Sequence, residues 1–208
     1  RRSSDLQPAA TLPVVEQLIA DKPEHCLPRR PDDHLAPDNP LGIRMPAPEL
    51  LYNRGELYNL SVARGTLSEE ERFKINDHIV QTLVMLDQLP YPRHLRAVPE
   101  IAGGHHEKMD GTGYPRQLQG GQMSIPARIM AIADIFEALT ASDRPYKSGK
   151  TVSQSLGIMQ KMVEEQHIDP TLFALFIESG VWRDYVRRFL APEQLDETAC
   201  QSLLAEAH

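Results

Sequence analysis

The chain has 208 residues, with 22 basic side chains against 29 acidic ones and a formal net charge of −7. That length suits one domain of ordinary size with an appended segment, and an acidic balance without clustered Lys and Arg excludes the electrostatic footprint of a protein that binds nucleic-acid polymers. No apolar run reaches the roughly 18 residues of a membrane span and no signal-peptide pattern opens the sequence, so the expected location is cytoplasmic, with Cys26 and Cys200 expected as reduced thiols.

In chain order, a short helix is expected around 11–20. Residues 21–48 are dense in proline and charge and read as a linker or an irregular excursion. The expected division is therefore 1–48, an N-terminal helix and Pro-rich segment, and 49–208, the main helical domain. Ser68-Glu69-Glu70-Glu71 has the form of a capping box, with acidic residues where the helix dipole favours them. The helix it opens carries Phe73, Ile75, Ile79, Leu83 and Leu86 at helical spacing, and Pro90 closes it. A second helix is expected over 93–107, interrupted by Gly103-Gly104, with a loop from 108 to about 124. Pro126 sits in the first turn of a strongly apolar helix, PARIMAIADIFEALTA. Further helical patterns lie at 151–166, 170–179, 181–190 and 192–206, and alternating strand segments are absent. The expected class is all-α, a helical bundle without internal repeats.

Three places carry metal-ligand chemistry. His78 borders the apolar face of the first of these helices; such a histidine is more often a satisfied boundary residue than a ligand. Asp134 has apolar sequence neighbours on nearly every side and is expected to be buried, where a carboxylate needs a hydrogen-bond donor, a cation or a metal. The adjacent pair His105-His106 points two imidazoles in directions about 100° apart on a helix, which suits two metals side by side. Imidazole with carboxylate fits first-row transition metals: iron, manganese, nickel or zinc.

The stretch HHEKMDGTGYP at 105–115, followed by IPARIMAIADIFEALTASDRPYK, resembles the HD-GYP domain, a branch of the HD superfamily of metal-dependent phosphohydrolases. The likeness continues upstream through RGTLSEEERFKINDHIVQTLVML and downstream into HIDPTLFALF, about 66–178 in all. It implies an HD-domain-like helical bundle holding two or three metal ions, iron or manganese foremost, in a bacterial signalling phosphodiesterase that hydrolyses cyclic di-GMP. By the same resemblance, His78, His105, His106 and Asp134 are metal ligands. Gly113, Tyr114 and Pro115 form a substrate-facing loop, with Gly111 and Gly113 supplying backbone freedom and Pro115 favouring an extended Tyr114. Arg144 and Lys147 match positions that meet the substrate phosphates. The GYP loop of this family is associated with contacts to diguanylate cyclase (GGDEF-type) domains, which makes such a domain an expected partner.

One departure bears on activity. The chain contains no His-Asp dipeptide, and where the family commonly carries LLHDIGK this sequence reads LLYNRGE at 50–56. Tyr52 and Asn53 then stand at the degenerate HD position, with Glu56 in place of the lysine. Two readings follow: a site too degenerate to hold the full metal cluster, serving as a nucleotide-binding or protein-interaction module, or an HD pair lying beyond Arg1 in an active parent protein. On either, this chain alone is expected to turn over cyclic di-GMP negligibly.

Overall fold

The structure, a computed structural model, describes residues 17–36, 38–63, 65–141, 149–196 and 200. Its regular elements are β1 (Cys26–Pro28), β2 (Leu50–Asn53), α1 (Glu56–Leu60), α2 (Glu69–Asp87), α3 (Val98–Gly104), α4 (Ile125–Thr140), α5 (Val152–Glu164), α6 (Pro170–Ser179) and α7 (Val181–Phe189), joined in places by single 3-10 turns. The expected all-α class holds, with one correction. β1 and β2 pair antiparallel, Leu27 facing Tyr52 and Cys26 facing Asn53. Strands of three and four residues are too short to display an alternating pattern, so no periodicity announces them.

The chain forms two compact units. One comprises Pro48–Phe73 with the described residues up to His34; the other comprises Leu35–Ala47 with the described residues from Lys74 onward. In the first, the β1–β2 ladder leads into α1, where the Asp21 carboxylate accepts from the backbone N–H groups of Leu57 and Tyr58 at 3.0 and 3.2 Å. Those donors have no partner within the helix itself, so Asp21 does the work of a cap. The capping box forms as expected: Glu71 accepts from Ser68 N–H at 2.9 Å, and Ser68 Oγ accepts from Glu71 N–H at 3.3 Å. The boundary between the units falls within α2, after Phe73.

In the second unit α4 to α7 share one core, with Ile132, Phe136, Leu156, Met159, Phe173 and Trp182 buried in a single cluster. Each helix start is fixed locally. Ser124 caps α4 and Thr151 caps α5, while Asp169 accepts from Thr171 and Leu172 N–H to cap α6. Asp169 also pairs with Arg128 of α4, which ties the α6 start to the α4 wall. A smaller cluster joins Ile43 to Ile79 and Val80 of α2, with Tyr114 packed against it.

The helix expected over 93–107 is shorter, a 3-10 turn at Arg93–Leu95 followed by α3. Gly103 and Gly104 do not interrupt it; they are its last residues, and their missing side chains let it approach its neighbours. A Cβ on Gly103 would lie 2.5 Å from Leu83 Cδ2, and one on Gly104 2.8 Å from Ala127 Cβ. The close approach of α3 to α2 and α4 delivers the next two residues, His105 and His106, to the site. The pattern at 192–206 begins with a 3-10 turn at Pro192–Gln194; most of its remainder, like most of the helix expected at 11–20, lies outside the described residues. Among the described residues, no helix is long and apolar enough to cross a membrane.

Candidate metal centre

His78 projects from α2, and His105 and His106 follow the end of α3. One ligand atom from each of the three lies within 4.8 Å of the others. His78 Nδ1 lies 2.6 Å from Ile75 O, and His105 Nδ1 lies 2.7 Å from Ala102 O. A carbonyl oxygen only accepts, so both Nδ1 atoms carry the proton and each Nε2 keeps its lone pair. Backbone carbonyls that fix tautomer and ring orientation in this way are the usual outer support of metal-binding histidines.

His106 closes the cluster. Its Nε2 is 3.2 Å from His78 Nε2, its ring centroid is 4.1 Å from that of His105, and it stacks on Tyr114 at 4.8 Å and 20°. With His78 Nε2 an acceptor, His106 donates that bond; shifting its proton to Nδ1 leaves two lone pairs facing one space. Nitrogens sharing one ion at about 2.1 Å stand at most roughly 4.2 Å apart. The observed spread is therefore met by a small ring rotation, or by two ions. The residues present fit a transition-metal centre.

Burial first, and then neighbouring His105 and His78, lower the His106 pKa from 6.5 to about 4, against a weaker opposing pull from Asp134. The ring is thus neutral at physiological pH, with a lone pair available to a metal. In the unfolded chain it recovers its ordinary value. Between pH 6.5 and about 4 the unfolded state therefore binds a proton that the folded state refuses, and stability falls as the pH falls through that window. The expected loss in metal-free protein is roughly 2 kcal/mol, reduced from the full linkage value because the ring is partly exposed. Urea denaturation at pH 7 and pH 4.5 measures it, with His106→Gln as the reference that removes this ring's share of the slope.

Asp134 lies near enough to His106 and Tyr114 to perturb both electrostatically; burial, with a smaller push from Asp134, raises the Tyr114 phenol. The expectation that it is buried is overturned: Asp134 is exposed. The buried face of α4 is Ala127, Ala131, Ile132, Phe136 and Thr140, and Asp134 falls on the other side of the helix. Its apolar sequence neighbours Ile129 and Met130 are themselves 50% and 44% exposed, so an apolar run did not mean a buried face. An exposed carboxylate beside the imidazoles is free to reach a cation without the cost of desolvation.

The GTGYP loop is held by residues that its own pattern does not reveal. Gly113 passes so close to the preceding chain that a Cβ there would meet Lys108 N at 2.4 Å and Glu107 Cα at 2.5 Å. Glu107 is 2% exposed, and its carboxylate accepts from Arg116 N–H at 2.6 Å and Leu118 N–H at 2.9 Å. Burial raises its pKa, and these backbone donors work against that rise. Opposite, residues 39–45 form a strap. Asn39 folds it by bonding Ile43 N–H and O at 2.9 Å each. Pro115 O accepts from Arg44 N–H (2.8 Å) and Met45 N–H (3.1 Å), while Arg116 Nε donates to Leu41 O at 2.8 Å. The Tyr114–Pro115 peptide is cis, and Tyr114 lies against His106 rather than extending freely. A further pair of bonds, Met109 N–H to His167 O and Asp110 N–H to Gln166 O, fastens the loop to the segment before α6.

Tyr52 and Asn53 lie on β2 in the first unit, where Asn53 Oδ1 accepts from Gly55 N–H. Arg144 and Lys147 fall outside the described residues. Glu107 and the strap are what sequence reasoning missed. Glu107 stands in the HHEKMD run, where nothing in the local spacing marks it as buried.

Residues 13–172 match the family model described as the HD domain. A 3'3'-cGAMP-specific phosphodiesterase (number 1) of Vibrio cholerae is 33% identical over 156 residues, which is 71% of this chain and 35% of that protein. Another of that organism (number 3) is 40% identical over 111 residues, 53% of this chain and 23% of its own length. A cyclic di-GMP phosphodiesterase of Pseudomonas aeruginosa is 40% identical over 83 residues, 39% of this chain and 19% of its own length. The chain thus spans a third or less, to within a few per cent, of the curated relatives it matches.

Proposed function

Because the chain belongs to the HD domain family, in its HD-GYP branch, we propose that the cluster of His78, His105 and His106 is the metal centre of a phosphodiesterase-type domain acting on a cyclic dinucleotide. The observation that carries this is the convergence of three imidazoles within 4.8 Å, two of them with Nδ1 pinned to a carbonyl. Asp134 adds the carboxylate; imidazoles with one carboxylate suit iron, manganese, nickel or zinc, and membership of the family puts iron or manganese first among them. Such an ion, when bound, lowers the pKa of a coordinated water. The chain's own residues supply the rest: Tyr114 walls the site beside His106 and Gly113 and Pro115 hold its backbone, while Arg144 and Lys147 are the cations proposed, by the family resemblance, to meet phosphate.

In this chain we propose that binding outlasts cleavage. The two-metal route for activating water on phosphorus holds its ions about 3.5–4 Å apart, and neither the phenol of Tyr52 nor the amide of Asn53 is a carboxylate that could bridge them. Incubation of the metal-loaded 208-residue chain with cyclic di-GMP, followed by chromatography, is expected to return intact substrate, while calorimetry shows that it binds. Metal-dependent appearance of the linear dinucleotide, lost in His105→Ala, would overturn the negligible-turnover expectation and show that another group does the work of the missing pair. A docking role toward a GGDEF-type domain is the companion reading of the GYP loop, and co-purification with such a domain tests it.

A further inference from the structure

Between α2 and α3 the chain turns a corner that pairs apolar tips with unpaired cations. Over 87–97 every residue except Tyr91 is exposed, so the corner projects and forms no groove. Met85, Leu89 and Leu95 are 59%, 50% and 41% exposed. Leu89 N–H still donates to Leu86 O at 3.1 Å, so the turning of α2 carries on past Asp87 and Leu89 stays one turn beyond Met85, on the same side. Leu95 N–H donates to Pro92 O at 3.0 Å and closes the 3-10 turn at Arg93–Leu95. Side chains three residues apart eclipse in such a turn. Arg96 keeps helical angles, φ −64° and ψ −21°, so Arg93 and Arg96 stand on one side of it. Neither forms an ion pair among the described residues, and like charges so placed repel unless an anion spans them. From 88 to 99 the sequence holds no Asp or Glu. Of the flanking acids, Asp87 closes α2, and Glu100 is turned to the α4 start, where it accepts from Ser124 N–H at 3.3 Å.

We propose that this corner is a docking surface for an anionic phospholipid bilayer. Adjacent guanidiniums match the phosphate oxygens of lipid headgroups, and Met85, Leu89 and Leu95 supply the apolar tips that enter the boundary with the acyl chains. An acidic protein segment offers the charge but needs concave ground on which to seat its own apolar side chains. A projecting corner gives it none, whereas a bilayer deforms around one. The net charge of −7 does not forbid the contact, because at about 0.1 M salt charges more than roughly 10 Å from the surface are largely screened. Each arginine held near such a surface strengthens attachment about fivefold, so one corner gives weak, reversible docking. None of these side chains belongs to the histidine cluster, so docking is read without metal or turnover.

The metal-free 208-residue chain is floated with vesicles of phosphatidylcholine alone and of phosphatidylcholine with about one third phosphatidylglycerol, in roughly 0.1 M salt. The anionic vesicles are expected to carry protein upward and the neutral ones to leave it behind. Replacing both arginines, Arg93→Gln with Arg96→Gln, is expected to lower partitioning about 30-fold, the product of two such contributions. Leu89→Ser with Leu95→Ser is expected to weaken it about tenfold while keeping its salt dependence. Arg187→Gln with Arg188→Gln, which removes two exposed arginines of α7, is expected to leave partitioning unchanged, and circular dichroism checks that every variant is folded. Equal flotation with both vesicle types, flotation with neither, full binding after loss of Arg93 and Arg96, or an equal fall from the α7 pair each overturns the assignment. No flotation, together with saturable binding of a fluorescent glutamate–leucine peptide that is lost with the same two arginines, gives the corner to an acidic protein segment instead.

Discussion

Glu107→Ala is expected to destabilise the second unit by roughly 3–5 kcal/mol, since it strips buried backbone donors of their acceptor at about 1–3 kcal/mol each and leaves a small cavity. The carboxylate is almost wholly enclosed and receives Arg116 and Leu118 N–H at 2.6 and 2.9 Å. Glu107→Gln separates charge from shape: it keeps one acceptor oxygen but turns an amide N–H₂ toward a backbone N–H, so an intermediate loss is expected. Urea denaturation read by far-UV circular dichroism measures both. A loss under about 1 kcal/mol for the alanine variant would mean that the loop holds its shape without this anchor.

His106→Ala is expected to weaken transition-metal binding by about 100-fold or more, because loss of merely an outer partner of a ligand already costs roughly 10–100-fold. His106 touches both other imidazoles, with centroids 4.1 Å from His105 and 5.1 Å from His78. Asp134→Ala is expected to weaken binding less, since this exposed carboxylate stands beside the three-nitrogen cluster rather than within it. It should leave the helix intact, alanine being the better helix former. Competition against a metal chelator with a spectroscopic readout ranks the two variants. Unchanged affinity in His106→Ala, with the fold intact by circular dichroism, would remove the cluster from consideration as a metal site.

The helices were legible where local chemistry marks them. α6 begins at Pro170 after the Asp169 cap and ends at Gly180 with φ +67°, so propensity, cap and stop agree over the expected 170–179. α4 was as plain, with Ser124 as cap and a proline in its first turn. The paired histidines were visible because they are adjacent in the chain and sit in a recognisable motif; His78 came from the family resemblance, since one histidine on a helix carries no chemical meaning by itself. What stayed hidden depends on contacts across long stretches of sequence. The orientation of Asp134 is set by which side of α4 meets α5 and α6, and the apolar run around it suits either side. The partners of Pro115 O are backbone groups some seventy residues earlier, and a main-chain amide leaves no mark in the side-chain pattern.

That last attachment bears on how the molecule can be divided. Arg44, Met45 and Leu41 bind the loop through Pro115 and Arg116, and Ile43, 5% exposed, packs with Ile79 and Val80. The histidine-bearing module is therefore discontinuous along the gene: a stretch rich in proline, which looks dispensable, is one of its structural parts. A shortened protein beginning at residue 49 would lack a wall of its own loop, and the Pro115 carbonyl, the Arg116 guanidinium and the apolar side of α2 would all face solvent together. Grafting this module into another protein means carrying residues 39–45 with it.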